Sequence, residues 1–317
     1  MYIGIDVGGT NLVAGLVDQE GTILHKSACP VNRSWSAEEL VSQLAQLSVR
    51  AAQEGGVSLE DVEGAGAGIP GLVDNEAGTV VKTPNMPFRD TPFRELFQRE
   101  LNIPVHLGND ADCAAAGEYW AGAAKGCDPV VMVTLGTGIG TGLVRGGKLY
   151  TGLGGAGMEA GHLMTHPNGL PCGCGGLGCW EQYGSATALI RMTRSAMESS
   201  PKSLLWEVCG GSLDRVEGRT PFQAARAGDE TALQVLEEYQ KELSYGLISL
   251  SNILFPEVIC LGGGVSSADS DLLLDPVREL VHKGCFDKDR LPKVVRASLG
   301  NDAGVVGAAM LCRMGEG

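Results

Sequence analysis

The sequence predicts an α/β chain made of two related halves, each opening on strands joined by a glycine-rich turn. Three observations carry this. At 317 residues the chain is longer than one hydrophobic core usually fills, so two domains are expected. A strand, a glycine turn and a returning strand occur around Val7-Gly8-Gly9-Thr10 and again around Gly136-Thr137-Gly138-Ile139-Gly140. Leu107-Gly108-Asn109-Asp110-Ala111 recurs unchanged as Leu299-Gly300-Asn301-Asp302-Ala303, each copy after an apolar stretch and before an Ala-rich helix.

The elements follow in order. Tyr2–Asp6 is short and apolar, Asn11–Asp18 returns, and Gln19-Glu20-Gly21 turns the chain into a third strand over Thr22–Ala28. Ser36 with Glu39 three residues on forms a capping box; Leu40, Leu44 and Leu47 make an apolar stripe; Gly55-Gly56 ends the helix. The second half repeats the opening: Val131–Leu135, the glycine turn, Thr141–Arg145, then Gly146-Gly147 into Lys148–Tyr150. A closing helix from Ala303 to about Cys312 is expected to pack on the N-terminal domain.

Composition narrows the function. A formal charge of −14 disfavours a protein that grips nucleic-acid phosphates along an extended surface. No basic leader precedes an apolar run, and no run reaches the roughly 18 residues of a membrane span, so a soluble cytoplasmic protein is expected. In a reducing cytosol, ten cysteines point to metal binding or catalysis before disulfides.

Among the 47 glycines, several nucleotide-site patterns arise. Gly66-x-Gly68-x-x-Gly71 fits a dinucleotide fingerprint, but Pro70 falls inside the helix that should follow. Gly142 to Lys148 fits GxxxxGK, yet Leu149 offers no hydroxyl to Mg²⁺. The turns at Gly8, Gly9, Thr10 and at Gly136, Thr137, Gly138 read better, either as plain hairpins or as cradles whose N–H groups hold phosphate oxygens. Asp6 is placed to hold Mg²⁺ through water, and Gly262, Gly263 and Gly264 let the backbone lie against an adenosine. Phosphoryl transfer to an alcohol wants one carboxylate beside the attacking hydroxyl. Asp110 and Asp302 share the same context, and each also reads as part of a helix cap.

Pro171-Cys-Gly-Cys-Gly-Gly-Leu-Gly-Cys-Trp-Glu181 carries three cysteines in eight positions. Cys172, Cys174 and Cys179 with a histidine suit a structural Cys₃His zinc site, the fourth ligand being His162 or His166. A thioredoxin-like Cys-x-x-Cys is absent, and a disulfide would leave one thiol over.

Asp6-Val-Gly-Gly-Thr10, Gly108-Asn-Asp-Ala111, Leu135-Gly-Thr-Gly-Ile-Gly140, Glu159-Ala-Gly-His162 and the cysteine run, in this order across the chain, resemble the ROK family of sugar kinases. Glu181-Gln-Tyr-Gly-Ser-Ala-Thr187 is most similar to its bacterial glucokinases. The resemblance implies a two-domain actin-like ATPase (ribonuclease H-like) fold with an inter-domain cleft. Residues 1–112 with 301–317 would form the small domain, and 113–300 the large one with its zinc loop. It implies Asp110 as catalytic base, and Asn85, Asn109, Glu159, His162 and Glu181 as sugar ligands. His162, Cys172, Cys174 and Cys179 would be the zinc ligands, His162 serving both sets through its two ring nitrogens. The implied reaction is ATP-dependent, Mg²⁺-assisted phosphorylation of a hexose at its 6-hydroxyl, glucose first, by a homodimer or homotetramer. The alternatives are a kinase for another hexose or an N-acetylhexosamine, polyphosphate as donor, or a non-catalytic sugar sensor. Phe88, where many of these glucokinases have Trp, and Met158, where Gly is common, depart from the pattern beside the sugar loops. A repressor of this family would carry a helix-turn-helix ahead of the Asp-Gly-Gly turn; here that turn begins at residue 6, so a repressor is not expected.

Overall fold

The computed structural model describes residues 1–314. Positions 315–317, the end of the segment expected to close the small domain, lie outside the described residues.

The chain opens with a meander, β1 (Tyr2–Val7), β2 (Asn11–Val17) and β3 (Ile23–Pro30). β1 pairs antiparallel with β2 from Tyr2↔Val17 to Val7↔Leu12. Ile3, Ile5 and Val7 are all buried, as a central strand requires, while β3 alternates between exposed and covered positions. Helix α1 (Ala37–Glu54) starts at the expected capping box, with Glu39 N–H on Ser36 Oγ and Ser36 N–H on the Glu39 carboxylate. Its stripe of Leu40, Leu44 and Leu47 is fully buried. The chain then adds β4 (Gly64–Ile69), a small sheet of β5 (Leu72–Asp74), β6 (Thr79–Lys82) and β7 (Arg89–Thr91), helix α2 (Phe93–Leu101), β8 (Val105–Asn109) and α3 (Asp110–Trp120). β4 runs parallel to β1 and to β8, giving the order β3-β2-β1-β4-β8.

The second half repeats the plan. β9 (Val130–Leu135), β10 (Ile139–Arg145) and β11 (Lys148–Leu149) come first. Helices α4 (Glu181–Gly184), α5 (Ala186–Ser199), α6 (Leu205–Val208), α7 (Thr220–Arg226) and α8 (Glu230–Leu254) precede β12 (Val258–Gly262). Then α9 (Leu274–Gly284), β13 (Lys293–Arg296) and α10 (Ala303–Leu311) complete the chain. The order β11-β10-β9-β12-β13 is that of the first sheet, third-second-first-fourth-fifth. The doubling read from the two glycine turns is present as topology.

By internal contacts the chain forms two compact units: residues 1–132, 141–158 and from 297 onward, and residues 133–140 with 159–296. These limits differ from the expected cuts at 112/113 and 300/301. The first expected cut falls at the start of α3, which packs along α10 so closely that a Cβ on Gly117 would sit 2.5 Å from the Ala303 carbonyl oxygen. A Cβ on Gly307 would overlap the Cys113 carbonyl. Backbone against backbone leaves no room for a side chain, so α3 stays with the closing helix. The second cut moves because buried Glu118 on α3 accepts from the N–H groups of Ser298 (3.0 Å) and Leu299 (2.8 Å). Among the described residues, no helix is long and apolar enough to cross a membrane.

Candidate active site

In the first unit, Asp6 stands near the C-terminal end of β1, between Val13 on β2 and Gly68 on β4. The turn after it is closed by Gly8 N–H on Asn11 O (3.0 Å), leaving Gly9 and Thr10 exposed. The Asp6 carboxyl packs on the first turn of α10, where a Cβ on Gly304 would fall 3.0 Å from its Cγ. Burial, and then the neighbouring Asp110 charge, push the Asp6 pKa up to about 6.

Asp110 opens α3. Asn109 is the N-cap, its Oδ1 accepting from Ala111 N–H (2.8 Å) while its Nδ2 donates to Gly71 O (2.8 Å). The capping reading of Asn109 is therefore correct, and its amide also reaches out of the helix. Solvent reaches Asp110, yet the protein mass around it raises its pKa; the Ala111 N–H at 3.0 Å opposes that rise. No cation pairs with Asp110 among the described residues, whereas the twin Asp302 is bound to Lys26 Nζ at 2.5 Å. Identical pentapeptides thus end in different electrostatic settings. Asn85 is exposed on a bend whose shape is held by Thr83 Oγ1 on Met86 O (2.9 Å). Phe88 is not beside it in solvent: it is 2% exposed and meets Phe93 edge-on in the core. The departure at Phe88 is thus a buried packing residue within the same bend as Asn85.

In the second unit, the Gly136 turn is closed by Gly136 N–H on Gly138 O (3.1 Å), with Gly136 and Thr137 exposed. A Cβ on Gly138 would overlap the Glu181 carboxylate, so this turn and Glu181 are neighbours. Gly262 ends β12, and Gly263 has φ +85°, its carbonyl accepting from Ser266 Oγ (2.7 Å). Gly264 lines a cavity of about 590 Å³ together with Arg219, Phe222, Gln223, Arg226 and Asp269. The volume and the mix of an aromatic face with polar ends suit a nucleoside.

The clip closes as the spacing suggested. The ligand atoms of His162, Cys172, Cys174 and Cys179 all lie within 4.8 Å of one another. Cys172 Sγ is 3.6 Å from His162 Nδ1, and Cys174 Sγ 3.6 Å from Cys179 Sγ. Tetrahedral zinc with Zn–S of about 2.3 Å and Zn–N of about 2.0 Å needs edges of about 3.5–3.8 Å, which these match. Without a cation the arrangement is electrostatically awkward: burial first, with a hydrogen bond to Glu181 contributing, pushes the Cys172 thiol up to about 12. The Cys172 thiol donates to Glu181 Oε1 (3.0 Å), and Glu159 is exposed at the start of a single helical turn that ends at His162.

His166, the rival fourth ligand, lies outside the cluster. Its Nε2 is 3.3 Å from Glu242 Oε1 on α8, and its ring stacks on Tyr183 at 3.9 Å. Met158 adopts φ +57°, an unusual conformation for a side-chain-bearing residue, and its carbonyl accepts from Thr141 Oγ1. Sequence reasoning missed Glu242, Thr141 and the seat of Trp180 on α8. Only Gly246, a helix-breaking type in a helix interior, was a signal for that seat.

Two five-stranded sheets of one order, each opening on a glycine-turned hairpin, and a closing helix laid on the first define an actin-like ATPase fold. The sequence profile of the ROK family matches residues 2–314, and the chain belongs to that family. It is 38% identical to a glucokinase of Streptomyces coelicolor over 99% of this chain and 98% of that one. It is similar to the structure of a ROK family glucokinase from Streptomyces griseus in complex with glucose and AMPPNP, with 39% identity, TM-score 0.82 and 99% of both chains covered. A ROK hexokinase from Thermus thermophilus is similar at 34% identity and TM-score 0.81, over 98% of this chain and 96% of that one.

Proposed function

We propose that this chain is an ATP-dependent hexokinase of glucokinase type, moving the γ-phosphoryl group of ATP to the 6-hydroxyl of glucose. The observation that carries the reaction is Asp110, a solvent-reached carboxylate at a helix start with no cation on it among the described residues. The raised pKa makes it a better proton acceptor. It takes the proton of the 6-hydroxyl as that oxygen bonds to the γ-phosphorus and the bond to the ADP oxygen breaks. Asn109 orients a neighbouring sugar hydroxyl, as do Asn85, Glu159, His162 and Glu181. The N–H groups at Gly9 and Thr10 and at Thr137 and Gly138 hold the phosphates, those of Gly8 and Gly136 being used to close the two turns, and the cavity beside Gly264 takes the nucleoside.

Asp6 would hold Mg²⁺ through water, and the bound ion would neutralise the phosphate oxygens. His162, Cys172, Cys174 and Cys179 would hold structural zinc, which would fix the loop ahead of Glu181. The deciding experiment is ADP release across a panel of hexoses and N-acetylhexosamines, with a polyphosphate arm. Glucose with ATP is expected to give the highest kcat/KM. A higher value for an N-acetylhexosamine would move the substrate, and sugar binding without any sugar phosphate would leave a sensor.

A further inference from the structure

Helix α8 grips the cysteine loop at both ends through one residue. The Trp180 indole, fully buried between Cys179 and Glu181 in sequence, donates to the Glu242 carbonyl (3.1 Å). The Glu242 side chain reaches His166 Nε2 (3.3 Å), four residues beyond His162. His166 is fixed in turn: Nδ1 lies 3.1 Å from Thr165 Oγ1, its N–H donates to Gly178 O (3.2 Å), and Tyr183 covers its ring. Gly178 directly precedes Cys179, so the histidine touches both arms of the loop. Tyr239, also on α8, donates to Gly184 O (2.8 Å) just past Glu181.

Glu242 is a poor device for stability. It is 8% exposed, and among the described residues its Oε2 has no hydrogen-bond partner. A half-satisfied buried carboxylate is less favourable than an apolar side chain of the same volume. What it does supply is a directional hold on a glycine-rich loop with little packing of its own.

We propose that Glu242 and His166 are a positioning pair for the hexose subsite, holding the flanks of the cysteine loop so that His162 and Glu181 keep their approach to sugar hydroxyls. The inference rests on the sugar-ligand roles given to His162 and Glu181 above. It assigns no contact between the pair and the substrate.

The test uses the full chain with its metal, and the variants Glu242→Ala, Glu242→Gln and His166→Gln. KM values for glucose and for MgATP, the calorimetric Kd for glucose, and zinc content are read together. Glu242→Ala and His166→Gln are expected to raise the glucose KM and Kd about tenfold or more, the scale of losing a hydrogen bond to a charged group. The MgATP KM should stay within about twofold and zinc content should not change. Glu242→Gln, which keeps an acceptor oxygen for His166, should recover most of the loss. Unchanged glucose KM in both disrupting variants, or glucose and MgATP KM rising together, overturns the proposal. If Glu242→Ala does not fold, His166→Gln decides, since 32% of that side chain is exposed and its loss is tolerable to packing. A parent that binds glucose without turnover sinks the kinase reading alone, and the Kd series still judges the pair. A parent that binds no hexose overturns both.

Discussion

Asp6→Asn should make the nucleotide-free protein more stable at alkaline pH, by an amount that disappears in acid. The parent carboxyl titrates near 3.8 when unfolded and at about 6 when folded, because burial and the Asp110 charge disfavour its ionised form. The folded state therefore holds its proton more tightly, and folding stability falls as pH rises from about 4 to about 6. Two pKa units correspond to about 3 kcal/mol, and partial solvent access to a half-buried side chain trims this to about 2 kcal/mol. Asparagine carries no such titration. The variant minus parent difference in unfolding free energy should thus be near zero at pH 4 and about 2 kcal/mol at pH 8. Urea unfolding in buffers without Mg²⁺ or nucleotide, at half-unit steps of pH, measures it. Other carboxylates titrate in both proteins and cancel. Parallel profiles, with a constant offset from pH 4 to 8, would refute the placement of Asp6 as a strained carboxylate. The same variant should lose most MgATP-dependent turnover, so that stability and activity move in opposite directions.

The twin motifs offer a second comparison. Asp110→Asn should lower kcat by about 10²–10⁴-fold, while Asp302→Asn removes only a surface pair with Lys26, worth about 1 kcal/mol or less; equal catalytic losses would remove Asp110 from its role. The parent's kcat/KM should fall as pH drops through about 6, where Asp6 takes up a proton, and a profile flat to pH 4.5 would contradict that. Metal analysis should find about one zinc per chain, and its removal by a chelator should lower the melting temperature and weaken glucose binding; full activity in metal-free protein would end the zinc reading. Gly246→Ala should destabilise by about 1–2 kcal/mol, since overlap with the Trp180 indole outweighs the roughly 1 kcal/mol that alanine gains in a helix. A variant with a higher melting temperature would show that Trp180 can move aside.

Much of the fold was open to reading because its signals are local. The capping box at Ser36, the stripe of Leu40, Leu44 and Leu47, and the two glycine turns act within a few residues of themselves, and each stands where expected. The cysteine spacing was equally local, which is why the three cysteines of the cluster were legible while its histidine was open between His162 and His166. The domain limits were not legible. They depend on α3 meeting α10 at Gly117 and Gly307, residues nearly two hundred positions apart that carry no pattern in common.

The sequence by itself determined which residues were available: a carboxylate at a helix start, two glycine-rich turns, and a loop of three cysteines leading into a glutamate. These follow from residue type and short spacing, where backbone geometry leaves few choices. Tertiary structure gave residues of like local context different partners. It separated Asp110 from Asp302 by giving only one of them a lysine, and His162 from His166 by giving the second to Glu242. It also sent Phe88 into the core. Electrostatic role and packing depend on what arrives from distant parts of the chain, and no local pattern encodes that arrival.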